Sequence, residues 1–134
     1  MVKCLVVDDD VLGREFTLLY LEGIADCVTA DNGLEAVEMF RTAFEEGKPF
    51  DLILLDLVMP EMDGNTAATK IRQIEKEWGV SVNDGVKIIV ISSLNTPNDI
   101  MQSYVSAKSA AHLVKPIKPD KLITAMSKLG LIKL

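Results

Sequence analysis

The chain has 134 residues, of which 49% are hydrophobic and 25% are charged. This length and composition are typical of one folded domain, here residues 1–134, and argue against intrinsic disorder. Acidic residues outnumber basic ones by 20 to 14, and the net charge of −6 disfavours binding to nucleic acids or anionic membrane surfaces. The apolar runs are much shorter than the ~20 residues that span a bilayer. Since no signal peptide opens the chain either, the sequence predicts a cytoplasmic protein.

The predicted elements alternate between short apolar strands and amphipathic helices. A first strand is predicted over residues 3–7. The helix after it carries an apolar stripe of Leu12, Phe16 and Leu19, which we expect to face the core, with residues 14, 15 and 17 outward. A second strand is predicted over residues 27–30. The second helix starts at about Gly33, behind a capping box of Asn32 and Glu35.

The second half of the chain continues the alternation. A strand over residues 52–55 is apolar on both faces, as expected for a central strand. Asp63 is predicted to cap a third helix, and strands are predicted over residues 88–91 and 111–114. Pro97 and Pro119 suit the first turns of the fourth and fifth helices. The residues expected on the buried faces of these three helices are Ala67, Ile71, Ile74, Trp78, Ile100, Tyr104, Ala107, Leu122, Met126 and Leu129.

Five such units predict an α/β fold, with a parallel sheet covered by helices on both faces. Cys4 and Cys27 both fall in predicted strands and lack a CxxC spacing. We interpret each as a buried reduced thiol, with no indication of redox or zinc chemistry.

Polar residues collect where the predicted strands end. In parallel folds these carboxyl ends form the ligand-binding edge of the sheet, so we expect the side chains to converge. Carboxylates repel one another unless a cation lies among them, and hard oxygen ligands favour Mg²⁺, which often completes its shell with a phosphate. The set therefore predicts phosphoryl chemistry. Its members are Asp8, Asp9, Asp10, Asp56, Ser92, Ser93 and Lys115.

Each of these residues has a simpler interpretation. Residues 8–10 could form a solvated loop in which one acid caps the first helix, and Asp56 could be a turn residue before Pro60. The serines could be ordinary capping hydroxyls, and Lys115 could be an exposed lysine at a strand end. Only their joint placement at four strand ends favours a site.

Four segments resemble the CheY-like receiver domain of bacterial response regulators. They are residues 6–10 (VVDDD), 55–64 (LDLVMPEMDG), 91–93 (ISS) and 114–116 (VKP). The resemblance covers essentially the whole chain and implies five helices around a five-stranded parallel sheet in the order 2-1-3-4-5.

The resemblance also implies the roles of individual residues. Asp56 would accept a phosphoryl group from a sensor histidine kinase or phosphotransfer protein. Mg²⁺ would be bound by Asp9, Asp56 and the backbone carbonyl of Val58, with support from Asp8. Ser92 and Lys115 would contact the phosphoryl oxygens, and the Lys115–Pro116 bond would be cis. The chain would catalyse only its own phosphorylation and dephosphorylation, so it would not be an enzyme in the usual sense.

The same resemblance predicts the output of the domain. His112 falls at the family's switch-aromatic position, although a partly buried strand histidine is an equally good interpretation. The surface controlling an unidentified output protein would be the fourth helix, the fifth strand and the fifth helix. A homodimer linked to phosphorylation is left open. Val58 and Leu94 would flank the path of the hydrolytic water, and their apolar side chains predict a long-lived phosphorylated form.

Three other functions compete with this one. A haloacid dehalogenase-type phosphatase needs a second aspartate two residues after Asp56, where the chain has Val58. A receiver fold with a dead pocket is disfavoured by the intact Asp9, Asp56, Ser92 and Lys115. The receiver part of a larger DNA-binding or output-domain regulator stays as the alternative, although no basic module follows the last predicted helix.

Overall fold

The computed structural model describes residues 1–93 and 96–133, except for the side chain of residue 106. All strands of its single sheet are parallel, in the order β2-β1-β3-β4-β5. The predicted fold class is therefore confirmed. In chain order the elements are β1 (Val2–Val7), α1 (Val11–Tyr20), β2 (Ala25–Ala30), α2 (Gly33–Glu45), β3 (Leu52–Leu55), α3 (Gly64–Glu77), β4 (Lys87–Ser92), α4 (Pro97–Ser106), β5 (Ala111–Val114) and α5 (Pro119–Lys128).

Two apolar cores lie on opposite faces of the sheet, because successive strand side chains point to opposite faces. In the central strand β3, Ile53 and Leu55 pack on the side of α2 and α3. Leu52 and Leu54 pack on the side of α1 and α5. All four residues of β3 are buried, as the sequence predicted for a central strand.

Side-chain caps fix where several helices begin. Asn32 accepts a hydrogen bond from the Glu35 backbone N–H (2.8 Å), and Asp63 accepts one from the Thr66 backbone N–H (2.8 Å). The Asn32 capping box is only half formed. The side chain of Glu35 interacts with Asp31, which raises the pKa of Glu35. A complete capping box begins α4 instead, between Thr96 and Asp99.

The predicted buried face of α1 is wrong. Leu12, Phe16 and Leu19 are 65%, 52% and 62% exposed, whereas Thr17 is buried. Gly13 and Thr17 are small residues, which allows the helix to approach the sheet closely. The Thr17 hydroxyl donates to the Gly13 carbonyl (2.9 Å). The helix thus packs through Thr17, Leu18 and Tyr20 and leaves Leu12, Phe16 and Leu19 outward.

Two other predicted core positions are exposed. Trp78 is 58% exposed, because it is the C-cap of α3, and its ring contacts Phe44 edge-on (centroids 5.3 Å apart). Tyr104 of α4 is exposed, and Ser103 is buried in its place. In the part of the chain that the structure describes, no helix has the length and apolar character needed to cross a bilayer.

Candidate functional site

Three of the predicted acidic residues meet at the carboxyl edge of the sheet. Strands β1 and β3 are neighbours, with Val7 paired to Leu55, so the residues that follow each strand lie side by side. A bond from the Asp56 backbone N–H to the Val7 carbonyl (3.0 Å) extends this register. Carboxylate oxygens of Asp8, Asp9 and Asp56 all lie within 4.8 Å of one another. Asp8 and Asp56 are buried and Asp9 is exposed.

Lys115 enters this cluster from the far end of β5. Its ammonium nitrogen lies 3.0 Å from Asp8 Oδ2 and 3.0 Å from Asp56 Oδ2. The Lys115–Pro116 peptide bond is cis, as the resemblance implied. Burial lowers the pKa of Lys115, but its hydrogen bonds to Asp8 and Asp56 outweigh that effect and leave the pKa raised. The side chain is therefore a fixed ammonium group at neutral pH.

The pKa of Asp56 is also raised above the usual value for aspartate. Burial is the main cause, and the hydrogen bond and charge of Lys115 oppose it. The Val58 backbone N–H donates to Asp56 Oδ1 (3.2 Å), so both carboxylate oxygens have partners. One ammonium group shared by two buried carboxylates does not fully offset the cost of burying the second charge.

Two further residues shape the site and were missed at the sequence level. Gly13 packs over Asp8, and a Cβ at this position would lie 2.8 Å from Asp8 Oδ2. Arg14, predicted to face outward, donates from its guanidinium to the Asp8 carbonyl (2.7 Å). The only sequence signal for either was their place in the first turns of the helix after the acidic run.

The remaining predicted residues lie at or near the same edge. Ser92 ends β4 and is fully buried, and its carbonyl accepts from the Lys115 backbone N–H (3.0 Å). Ser93 is exposed. Asp10 is the acid of this run that caps α1, since it accepts from the Leu12 backbone N–H (3.3 Å). Leu94 lies outside the described residues.

His112 lies on β5, in register with Val90 of β4. Its Nδ1 is 2.9 Å from the hydroxyl of Ser103, which also donates to the Ile100 carbonyl (2.8 Å). The bond ties β5 to α4 at a partly buried position.

The donor set fits a hard divalent cation. Carboxylates from two adjacent loops offer oxygen ligands within one small volume, and exposed Asp9 leaves the cluster open to solvent. Among the described residues, no other group of three or more His, Cys, Asp or Glu side chains is placed to hold a metal. Val58 lies two residues after Asp56 in the same loop, and its backbone carbonyl is a further oxygen that could be a ligand.

Comparison with known proteins identifies relatives of the whole chain. The family model described as the response regulator receiver domain matches residues 4–127. The chemotaxis protein CheY of Bacillus subtilis is 30% identical over 128 residues, which are 94% of this chain and 95% of that protein. Some relatives are much longer, since the chain spans 10% of probable histidine kinase 2 from Oryza sativa subsp. indica.

Solved structures show the same similarity. The receiver domain of the Arabidopsis thaliana histidine kinase CKI1, complexed with Mg²⁺ and BeF₃⁻, superimposes with a TM-score of 0.81 at 29% identity, covering 96% of this chain and 89% of that one. The receiver domain of Saccharomyces cerevisiae Ssk1, co-crystallised with the histidine phosphotransfer signalling protein Ypd1, gives 0.82 at 27%, covering 96% and 88%.

Proposed function

The chain belongs to the response regulator receiver domain family, the signalling domains of two-component systems that a histidine kinase or phosphotransfer protein phosphorylates, and we propose that Asp56 is its phosphoacceptor. The observation that carries this assignment is the position of Asp56, buried at the end of the central strand with its Oδ2 3.0 Å from the Lys115 ammonium. Residues 1–134 form a single receiver domain in this proposal.

Transfer begins with attack of an Asp56 carboxylate oxygen on the phosphorus of a phosphohistidine. The P–N bond breaks, its electrons stay on the imidazole nitrogen, and an aspartyl phosphate forms. Lys115 lies beside the attacking group and offsets the charge on the phosphoryl oxygens, while the Ser92 hydroxyl contacts another of them. Lys115 and Ser92 act mainly by holding their polar groups where charge develops on the phosphoryl oxygens, so the rate of transfer depends mostly on their placement.

Mg²⁺ would be bound by Asp9, Asp56 and the Val58 carbonyl, with Asp8 supporting it. When bound, it supplies a second positive charge for the transferred phosphoryl group. The excess of carboxylates over ammonium groups at this edge supports the assignment. The Mg²⁺ complex of the CKI1 receiver domain supports it by similarity.

We assign the output to α4, β5 and α5. A phosphoryl group on Asp56 draws the Ser92 hydroxyl toward it, and His112 turns into the space this leaves, which breaks its bond to Ser103. The change moves α4 between two packed arrangements. Met101, Tyr104 and Val105 expose apolar surface on α4, where an output protein would bind.

The phosphodonor would dock on the exposed stripe of α1. A groove of about 480 Å³ runs from this stripe to the site, lined by residues that include Phe16, Tyr20, Lys115 and Ile117. A donor must bring its histidine to Asp56, so apolar surface continuous with the site is suited to it. We name a histidine phosphotransfer protein as the occupant, in keeping with the Ypd1–Ssk1 co-crystal structure.

The phosphoacceptor is tested with a small donor. Acetyl phosphate and Mg²⁺ should add one phosphoryl group to the parent, measured by intact mass, and none to Asp56→Asn. The matched control is Asp10→Asn, which keeps a capping side chain and removes a neighbouring charge; it should be phosphorylated like the parent. Equal incorporation into Asp56→Asn, or loss of incorporation in Asp10→Asn alone, would refute the assignment.

The docking face is tested by comparing donors. Phe16→Ser should slow transfer from a phosphorylated phosphotransfer protein by about tenfold and leave phosphorylation by acetyl phosphate unchanged. Met101→Ser, which changes a still more exposed apolar residue on α4, should affect neither reaction. If both variants slow transfer to the same extent, the α1 stripe has no special part in docking.

A further inference from the structure

Cys4 and Cys27 are brought together by the register of the sheet, far apart though they are in the sequence. They are directly paired across β1 and the edge strand β2. Neighbouring strands lie about 4.8 Å apart, which is within the roughly 4.4–6.8 Å between Cα atoms that a disulfide requires. Paired residues of parallel strands point to the same face, and both side chains belong to the same core cluster.

The two thiols differ in environment. Cys4 is completely buried, whereas Cys27 is half-buried at the edge of the sheet. Interaction with the Cys4 side chain lowers the pKa of Cys27 despite the opposing effects of burial and of Asp26, and the Cys27 thiol donates to the Ala25 carbonyl (3.9 Å). The same interaction, together with burial, raises the pKa of Cys4. A half-buried thiol with the lower pKa beside a fully buried thiol with the higher pKa is the usual arrangement of an attacking and a resolving cysteine.

We propose that Cys4 and Cys27 form a dithiol modification site that reacts with low-molecular-weight disulfides and closes into an intramolecular disulfide between β1 and β2. Metal binding fits the pair less well: among the described residues, no cluster of three or more potential ligands includes either sulfur. The product would cross-link the edge strand to β1, the strand that leads into Asp8.

The reaction balances as two thiol–disulfide exchanges. The Cys27 thiolate attacks one sulfur of oxidised glutathione, the glutathione S–S bond breaks, and one glutathione leaves as its thiolate, which takes up the proton of Cys4. The Cys4 sulfur then attacks the Cys27 sulfur and displaces the second glutathione, which leaves with the proton first lost by Cys27. Two protein thiols are oxidised to one disulfide, and one glutathione disulfide is reduced to two thiols.

The test follows the intact protein in oxidised glutathione by mass spectrometry without reductant. The parent should become lighter by two hydrogen atoms and stay monomeric. Cys4→Ala should stop as a mixed disulfide, heavier by one glutathionyl group, because Cys27 then has no resolving partner. Cys27→Ala should stay unmodified, because Cys4 is buried. Accumulation of the mixed disulfide in the parent, covalent dimers, or glutathionylation of Cys27→Ala at the parent's rate would each overturn the proposal.

A second measurement needs no variant. Limited alkylation of the native parent with iodoacetamide, followed by peptide mapping, should label Cys27 at least about tenfold faster than Cys4. In denaturant the two rates should converge, because only the fold distinguishes the two thiols. Equal labelling in the native protein would contradict the assignment of Cys27 as the attacking thiol. Neither measurement depends on the phosphoacceptor.

Discussion

Two buried charge clusters lie at opposite ends of the parallel strands, one at the carboxyl ends and one at the amino ends, and they are built differently. At the carboxyl edge, Asp8 and Asp56 share the single ammonium of Lys115. At the other edge, Arg72 and Glu75 of α3 form a one-to-one pair, with Arg72 Nη1 2.8 Å from Glu75 Oε1. The first cluster has more negative than positive charge, and the second is balanced.

Backbone groups complete the Arg72–Glu75 pair. The guanidinium donates to the carbonyls of Val86 (2.8 Å) and Lys108 (2.9 Å), and the Val86 backbone N–H donates to Glu75 Oε2 (2.7 Å). These bonds join the end of α3 to the start of β4 and to the loop after α4. A balanced and saturated pair of this kind supports structure, whereas the unbalanced cluster is suited to receive a cation and a phosphoryl group.

The largest expected effect comes from breaking the balanced pair. Arg72→Met leaves the Glu75 carboxylate buried without its charge partner, and we expect the free energy of unfolding to fall by about 3–5 kcal/mol. Urea denaturation measures this change. Lys70→Met, on the exposed side of the same helix, should change stability by no more than about 0.5 kcal/mol. A small loss in Arg72→Met would mean that the pair contributes little to the fold.

The unbalanced cluster is tested through its cation. Asp9→Asn removes one carboxylate ligand, and Mg²⁺ affinity measured by calorimetry should fall about tenfold, or 1.4 kcal/mol. Asp10→Asn removes the charge of a neighbouring side chain that caps α1, so the loss of Mg²⁺ affinity should be much smaller. Equal losses in the two variants would indicate a general effect of charge rather than a ligand at Asp9.

Removing a charge from the unbalanced cluster should stabilise the metal-free protein. Because the folded-state pKa of Asp56 is raised, its ionisation costs stability as the pH rises above the usual aspartate range. Asp56→Asn avoids this cost and leaves Lys115 paired with Asp8, so we expect a gain of about 1 kcal/mol at pH 7 in EDTA. The gain should shrink as the pH falls toward about 3.9, the ordinary aspartate pKa. Destabilisation at pH 7 would show that Lys115 needs both carboxylates.

The smallest expected effect concerns the loop after Asp56. Val58 is exposed and apolar, so it cannot hold a hydrolytic water by hydrogen bonds. Val58→Asn should shorten the lifetime of the phosphorylated form several-fold, less than about 1.4 kcal/mol in barrier. Loss of the phosphoryl group is followed by mass spectrometry under constant Mg²⁺, with Val58→Ala as the control for access alone. If the Ala and Asn variants hydrolyse equally fast, steric access rather than water positioning sets the lifetime.

The candidate site could be predicted from the sequence because it depends on topology alone. Once strands and helices alternate, residues directly after parallel strands must meet at one edge, and Asp56 and Lys115 follow β3 and β5 directly. Their convergence needs no knowledge of side-chain packing.

The face of α1 could not be predicted in this way. Its sequence offers a strongly apolar stripe at Leu12, Phe16 and Leu19, and hydrophobic periodicity favours burying it. The helix instead turns Gly13 toward Asp8 and packs Thr17, Leu18 and Tyr20 inward, because a Cβ at position 13 would clash with the Asp8 carboxylate. Periodicity records which side chains are apolar and contains no information on how closely two elements approach.

By itself, the sequence determined the order of the elements, the parallel sheet and the set of polar residues at its carboxyl edge, because these follow from local patterns and chain connectivity. The tertiary structure alone decided the pairing of Cys4 with Cys27 and of Arg72 with the backbone around Val86. Both depend on the register of neighbouring strands and the close packing of α3, which are set by the fit of many distant side chains at once.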